Sequence, residues 1–430
     1  MTTSDLALSC PAVLVSAPAS NQGKTLVAAA LARHWKKQGL RVRAFKCGPD
    51  FLDPMILETA TGQPVLNIDL AMCGEEDARA RLFQAAQESD VIVLEGVMGL
   101  FDGKPSSADI AERFGIPVAL VVNASGMAQT FGALVVGLVS QRPGLHLAGA
   151  IGNRVGSASH ASILQESLGE EIAWLGTLPS DPAFSLPERH LGLFMAAEIE
   201  DLETRIDAAS DALANGLPIP LPPTVTFQAP ATQAPPALLA GKTIAVARDE
   251  AFCFIYPANL ECLEAMGASL AFFSLLRDHA LPSADAIWLP GGYPELHASL
   301  ITQNHGMAHS LKQAAASGTP ILAECGGMMS LTSSIGEHAA FDVLPGAIQM
   351  TPKLKGLGIQ FADLPQGRIH AHTFHYSALE TAMEPLAHAT TQRGKPGEAI
   401  YRHGSITATY LHFYFPSNPS AAAALLSRHA

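Results

Sequence analysis

The sequence predicts an α/β protein of two doubly wound domains, and three observations carry that expectation. Short continuous apolar runs end in Gly, Asp, Asn or Ser, as strands of parallel sheets covered on both faces do. Each run is followed by a stretch that could form a helix. A segment with seven prolines and no charged residue, 216–240, divides the chain near its middle. Proline fixes φ and removes a donor, so this segment is expected to be neither helix nor inner strand but a linker between domains 1–215 and 241–430.

In the first half the strand-like runs are "AVLVSAP", "VRAFKCGPD", "VIVLEG", "VALVVNAS" and "LAGAIGNR". "TLVAAALARHWKKQG" follows the first with helical periodicity and a stop at Gly39. The second half offers "TIAVARD", "SLAFFS", "AIWLPGG" and "PILAECGG". Ligands of such sheets bind beyond the carboxyl ends of the strands, where all the polar motifs fall.

Of the 430 residues, 48% are hydrophobic and 15% charged, which describes a packed enzyme and not a disordered chain. A net charge of −13 argues against nucleic acid as a partner. No apolar run is long enough for a membrane span, and the N-terminus lacks the basic and apolar regions of a signal peptide. The six cysteines have no C-x-x-C spacing, which fits neither zinc nor a disulfide framework and suits the reducing cytoplasm.

"SAPASNQGKT", residues 16–25, ends as a phosphate-binding loop does, with Gln22, Gly23, Lys24 and Thr25, but carries Pro18 where the template has its first Gly. A strand before it and a helix after it supply the context the motif needs, with Lys24 for phosphate and the Thr25 hydroxyl for Mg²⁺. Glu95, closing a buried strand, is the expected acidic partner of that ion. Asp50 and Asp53 in "KCGPDFLDP" either hold metal or orient a substrate, or form an Asx turn before Pro54. Asn153 either reads the nucleotide base or closes a strand-end turn.

"PILAECGGMMSL" sets Cys325 at a bend between an apolar strand and a helix start, the layout of a nucleophile elbow with a thiol. A helix N-terminus there should lower the thiol pKa. Gly291 and Gly292 of "LPGGYPEL", with Gly326, could supply oxyanion-hole amides. The base is open between His412 in "YLHFYF" and His372 in "HAHTFHYS", whose His370 and His375 are further candidates.

Taken in order, "KCGPDFLDP", "EGVMGLFDG", "LPERHLGL", "ARDEAFCFIYPANL", "LPGGYPEL", "AECGG", "FHYS" and "YLHFYF" resemble the corrinoid a,c-diamide synthases over nearly the whole chain. The resemblance implies a dethiobiotin-synthetase-like ATP domain joined to a class I glutamine amidotransferase domain. It implies that Pro18 is a family variant, Cys325 the nucleophile and His412 its base. Asp50 and Asp53 fall on the catalytic acidic pair; Thr25, Asp50 and Glu95 fall on the magnesium side. The implied partners are cobyrinic or hydrogenobyrinic acid, glutamine and ATP with Mg²⁺, with a homodimer as a candidate assembly. Local cations such as Lys46 would offset the chain's acidity toward a polycarboxylate. Ala371 and Thr373 depart from the "GHE" of many members, and Tyr414 stands where ordinary class I glutaminases have Glu. Cobyric acid synthase and nickel-sirohydrochlorin amidation are the neighbouring alternatives, and a partition-type ATPase switch is the alternative of another class.

Overall fold

The computed structural model describes residues 6–189, 192–215, 218–231 and 234–428. Contacts divide the chain into two compact units, Met1–Thr232 and Gln233–Ala430. In the first, strands β1 Ala7–Ser16, β2 Val42–Cys47, β3 Leu66–Ile68, β4 Val91–Glu95, β5 Val118–Asn123, β6 Leu147–Val155 and β7 Trp174–Pro179 pair in the order β3-β2-β4-β1-β5-β6-β7. All these pairings are parallel. Helices α1 Lys24–Lys37, α2 Leu52–Thr61, α3 Glu75–Glu88, α4 Ser107–Phe114, α5 Thr130–Ser140, α6 Ala158–Glu166 and α7 Leu202–Ala214 connect or follow them.

Both faces of the central strands are buried. Val13, Val15, Val91, Val93, Ala119 and Val121 join a core with Val27 and Trp35 of α1, Ile56 and Leu57 of α2, and Ile206 of α7. The alternate residues Leu14, Ile92, Leu94 and Leu120 are buried as well. That is why these runs read as continuously apolar. With β1 between β4 and β5, the loops after β1, β2 and β4 open at one sheet edge, which gathers the expected phosphate and acidic residues.

The proline-rich segment is not a connector throughout. After the short pair β8 Glu188–Arg189 and β9 Gly192–Leu193, residues Thr224–Gln228 form β10, antiparallel to the start of β1. "TVTFQ" contains no proline, so its amides can join a ladder, and Val225 and Phe227 alternate inward. This corrects the expectation of a linker over all of 216–240. Residues 216–217 and 232–233 of that segment, residues 190–191 of "LPERHLGL", and the first five residues read for a signal peptide lie outside the described residues.

The second unit begins with β11 Thr243–Ala247, α8 Pro257–Ala265, β12 Ser269–Phe273, β13 Ala286–Leu289, α9 Ala298–Gln303, α10 His305–Ala316, β14 Ile321–Glu324 and α11 Gly326–Leu331. It continues with β15 Ser334–Ile335, β16 His338–Ala339, β17 Ala347–Met350, β18 Gly356–Leu364, β19 Gly367–His375, β20 Ser377–Glu380, β21 Ala387–Thr391, β22 Pro396–His403, β23 Ile406–Thr409, β24 His412–Tyr414 and α12 Pro419–Leu425. The large sheet runs β12-β11-β13-β14-β23-β22-β21-β18-β19-β24. It is parallel from β12 to β23 and antiparallel beyond. Ala245, Ile287, Ile321 and Ala323 pack into one core, and Val246, Trp288 and Leu322 into a second on the opposite face. The histidines of "HAHTFHYS" therefore lie on the antiparallel half, on β19, and its Ser377 starts β20 of a separate sheet β16-β15-β17-β20. Among the described residues no helix is long and apolar enough to cross a membrane, and no disulfide is formed.

Candidate active site

In the first unit the chain leaves β1 at Ser16 and turns through residues 17–23 into α1. Gly23 has φ +87°, and a Cβ there would overlap Asn153 Nδ2, so the position needs glycine twice over. No side chain caps the start of α1. Its first amides thus lack an intrahelical acceptor and are oriented for an anion. Pro18 lies in a loop pinned by the Leu100 amide donating to Ala17 O at 2.8 Å.

Around the loop stands a buried charged cluster. Thr25 Oγ1 donates to Glu95 Oε1 at 2.6 Å. Lys46 Nζ, wholly interior, pairs with Asp53 and lies 3.1 Å from Glu95 Oε1 and 3.2 Å from Gly96 O. Burial alone would lower the Lys46 pKa, but Asp53 and Glu95 overcome it and hold the ammonium charged. Burial, with Asp53 adding, pushes the Glu95 carboxyl up to about 7. Its Oε2 and the Ser16 hydroxyl are buried without a hydrogen-bond partner among the described residues. Lys24 donates to Ala19 O at 3.2 Å, and burial followed by Lys46 repulsion lowers its pKa.

Asp50 and Asn153 carry structural duties. Asp50 Oδ1 accepts from the amides of Leu52 at 2.7 Å and Asp53 at 2.9 Å, so it forms the Asx turn that starts α2. Burial, then Asp53, pushes its carboxyl up to about 6. Asn153 Nδ2 donates to Gln22 O at 2.7 Å, while Gln22 Oε1 accepts from the Asn123 amide at 2.9 Å. Both side chains fix the loop's path from the ends of β5 and β6.

In the second unit Cys325 bridges β14 and α11 with φ +45° and ψ −108°, a strained backbone for a residue with a Cβ. Its amide donates to Thr409 O of the neighbouring strand β23 at 2.7 Å. His412 follows that strand closely. A Cβ on Gly291 would run into His412 Cε1 and come within 3.3 Å of Cys325 Cβ. The imidazole and the elbow therefore both border the space that a side chain at 291 would need. A Cβ on Gly326 would stand 2.9 Å from Gly292 N, which brings the two glycine loops into contact.

Burial, followed by Glu295, raises the Cys325 pKa, and the Gly326 amide that hydrogen-bonds the thiol opposes this only in part. The expected lowering by a helix N-terminus is thus not found. Helix α11 has only six residues, and the thiol is almost fully enclosed. Burial, then His372 and His375, pushes His412 down to about 3, leaving a neutral imidazole near neutral pH. Neutral thiol beside neutral imidazole is a pair ready for proton transfer at the moment of attack.

The other histidines have different surroundings. His372 faces His412 across the β19–β24 ladder, and burial likewise pushes it down to about 3. His375 lies with Nδ1 2.8 Å from Ser377 O and Nε2 3.0 Å from Glu398 Oε1, stacked on the Tyr410 ring. His370 packs edge-on against Phe361.

Two residues missed as functional candidates hold the His412 segment. Glu324 Oε1 accepts from the Phe413 amide and its Oε2 from Trp288 Nε1, each at 2.9 Å. Asn259 Nδ2 donates to Phe413 O at 2.7 Å, and its Oδ1 accepts from the Phe415 amide at 2.8 Å. The charge inside the otherwise apolar "PILAE" was the signal for Glu324, as Lys46 inside "VRAFKC" was for the cluster in the first unit.

A helix start laid open to phosphate in one unit and a thiol elbow in the other serve complementary halves of one chemistry, that of a glutamine-dependent amidating ligase. Residues 13–194 match the CobQ/CobB/MinD/ParA nucleotide binding domain, and residues 243–420 the CobB/CobQ-like glutamine amidotransferase domain. The chain is 54% identical over 97% of its length to the hydrogenobyrinate a,c-diamide synthase of Stutzerimonas stutzeri, covering 98% of that protein. Identity to the protein of the same name from Pseudomonas aeruginosa is 52%, covering 97% of this chain and 98% of that one. To the cobyrinate a,c-diamide synthase of Herminiimonas arsenicoxydans it is 47%, covering 96% of each. The chain belongs to the cobyrinate and hydrogenobyrinate a,c-diamide synthase family.

Proposed function

We propose that this enzyme amidates the a and c carboxylates of hydrogenobyrinate or cobyrinate, using ATP in the first unit and ammonia released from glutamine in the second. The observation that carries the nitrogen half is the approach of both Cys325 and His412 to the Cβ position of Gly291. His412 takes the thiol proton as sulfur adds to the glutamine amide carbon, and gives it to the departing ammonia. Water then resolves the thioester to glutamate. The Gly292 and Gly326 amides, which lie at the elbow, hold the developing oxyanion. Glu324 and Asn259, through Phe413, keep the His412 segment in place.

In the first unit the N-terminus of α1 and Lys24 bind the ATP phosphates. The substrate carboxylate takes the γ-phosphoryl, because a carboxylate is a poor electrophile and the acyl phosphate is not. Ammonia displaces phosphate, and the cycle repeats at the second carboxylate. Lys46 offsets the negative charge that gathers there, and Asp53 positions its ammonium. Thr25 and the unpartnered Glu95 Oε2 fit Mg²⁺, a hard ion that takes oxygen ligands. Among the described residues no cluster of three or more His, Cys, Asp or Glu could hold a metal by itself, so these donors suit an ion arriving with the nucleotide. When bound, the ion supplies charge stabilisation at the phosphates. Asp50, tied through Oδ1 to α2, serves as an orienting carboxylate.

Mass spectrometry of the products formed from hydrogenobyrinate, cobyrinate and a nickel sirohydrochlorin, each with glutamine and ATP, tests this. Two amidations of hydrogenobyrinate or cobyrinate are expected. Four amidations, or amidation only of a nickel sirohydrochlorin, would reassign the substrate.

A further inference from the structure

With Cys325 as the thiol that attacks glutamine, the amino-acid end of glutamine still needs a partner, and the role inferred for Glu295 rests on that assignment of Cys325. At neutral pH this end carries an α-ammonium, separated by a short aliphatic spacer from the amide. An anion beside the nucleophile would select glutamine over amides that lack this ammonium.

Glu295 meets that description. It lies in the one-turn helix Pro294–His297, directly after the glycine loop that flanks His412. That turn packs on α11, the helix opened by Cys325. A Cβ on Gly326 would come within 2.9 Å of Pro294 Cδ, so turn and elbow touch. Oε2 of Glu295 is buried with no hydrogen-bond partner among the described residues. A buried carboxylate oxygen without a partner is costly and calls for one.

Its location is also adverse to the nucleophile. After burial, Glu295 is the largest influence holding the Cys325 thiol protonated. The carboxyl accepts from its own backbone amide, but among the described residues Oε2 makes no hydrogen bond that a neutral residue would lose. A cation arriving with the substrate resolves both problems at once. It partners the buried oxygen and screens the thiol from its charge.

We propose that Glu295 determines the specificity of the glutaminase unit by binding the α-ammonium of glutamine while the side-chain amide lies against Cys325. Hydrogen bonds to charged groups set the scale of the effect, about 10- to 100-fold in kcat/KM.

The test compares ammonia release from L-glutamine and from glutaramate, the same molecule without its α-amino group, by the parent enzyme, Glu295→Gln and Glu295→Asp. The parent should prefer glutamine by about 10- to 100-fold. Glu295→Gln should lose most of that preference through a raised KM for glutamine, with glutaramate hydrolysis changed less than about threefold on the same scale. Glu295→Asp, which keeps the charge at shorter reach, should fall between them. Melting temperatures show whether each variant is folded. An unaltered preference in a folded Glu295→Gln overturns the proposal. So does an equal fall with both substrates, which would mean that Glu295 acts on the Cys325–His412 geometry. If the parent releases no ammonia from glutamine, or Cys325→Ser releases as much as the parent, it is the underlying assignment of Cys325 that fails.

Discussion

Gly291→Ala adds one methyl group where the glycine loop meets His412 and the Cys325 elbow. The new Cβ would overlap His412 Cε1 and lie 2.9 Å from Nδ1, with Cys325 Cβ at 3.3 Å. Carbon contacts need roughly 3.5–4.0 Å, so the ring or the loop must move by about 1 Å. The ring has little freedom to do so. Its segment is clamped by Glu324 and Asn259 through Phe413, and its strand is paired to β19. A misplacement of about 1 Å in a reacting group costs on the order of 10²-fold in rate. The extra methyl in a closed core adds a stability cost of about 1–3 kcal/mol. Glutaminase turnover of Gly291→Ala should therefore fall about 100-fold, while ammonium-dependent synthesis in the other unit persists. The assays are ammonia release from glutamine, product formation with ammonium chloride, and thermal unfolding. A variant with the parent's glutaminase rate and melting temperature would refute the placement of His412 and Cys325 about that glycine.

Replacing His412 by Asn should lower glutaminase turnover by about 10²- to 10⁴-fold, the usual contribution of a general base, and His372→Asn should do less; a reversed ranking in folded variants would exchange their roles. His372→Asn also has a signature in pH. Unfolded imidazole titrates near 6.5 and buried His372 near 3, so the unfolded chain binds the extra proton between those values and acid withdraws stability. Denaturant titrations on acidification from pH 6.5 should show the variant losing less than the parent, by up to about 1.4 kcal/mol per pH unit. In the first unit Lys46→Met would leave Asp53 and Glu95 buried without their cation. Fluorescence or thermal unfolding should register a loss of about 3–5 kcal/mol, and a variant as stable as the parent would remove the bridge from the account. Asp50→Asn keeps an oxygen for the amides of Leu52 and Asp53, so it should bind ATP almost normally yet make little product with ammonium; normal synthesis would leave Asp50 as an Asx-turn residue only.

Much of this architecture was legible because it is local. A buried parallel strand needs apolar residues on both faces, so "AVLVSAP" and "PILAECGG" announced themselves, and the residues at their ends had to share a sheet edge. The glycines at 23 and 291 marked close approaches, though the sequence could not say that their neighbours are Asn153 and His412. What escaped depends on partners distant in sequence. Strand β10 was hidden because prolines on either side dominate its surroundings. The roles of Glu324, Asn259 and Glu295 follow from contacts made only after β13, β14 and β24 assemble. One expectation had the chemistry right and the balance wrong, and one of two open readings was met. The thiol's helix is too short and the site too dry to lower its pKa, and Asp50 commits an oxygen to its own backbone.

Transfer of label from amide-¹⁵N glutamine, followed by mass spectrometry of the macrocycle, tests the division of labour most directly. With ATP, the parent enzyme should place two labelled nitrogens on the product. Cys325→Ser should place none from glutamine, yet two from ¹⁵N-ammonium. Label arriving from glutamine in Cys325→Ser, or no synthesis from ammonium by that variant while folded, would contradict an account in which one unit releases ammonia at Cys325 and the other uses ATP to receive it.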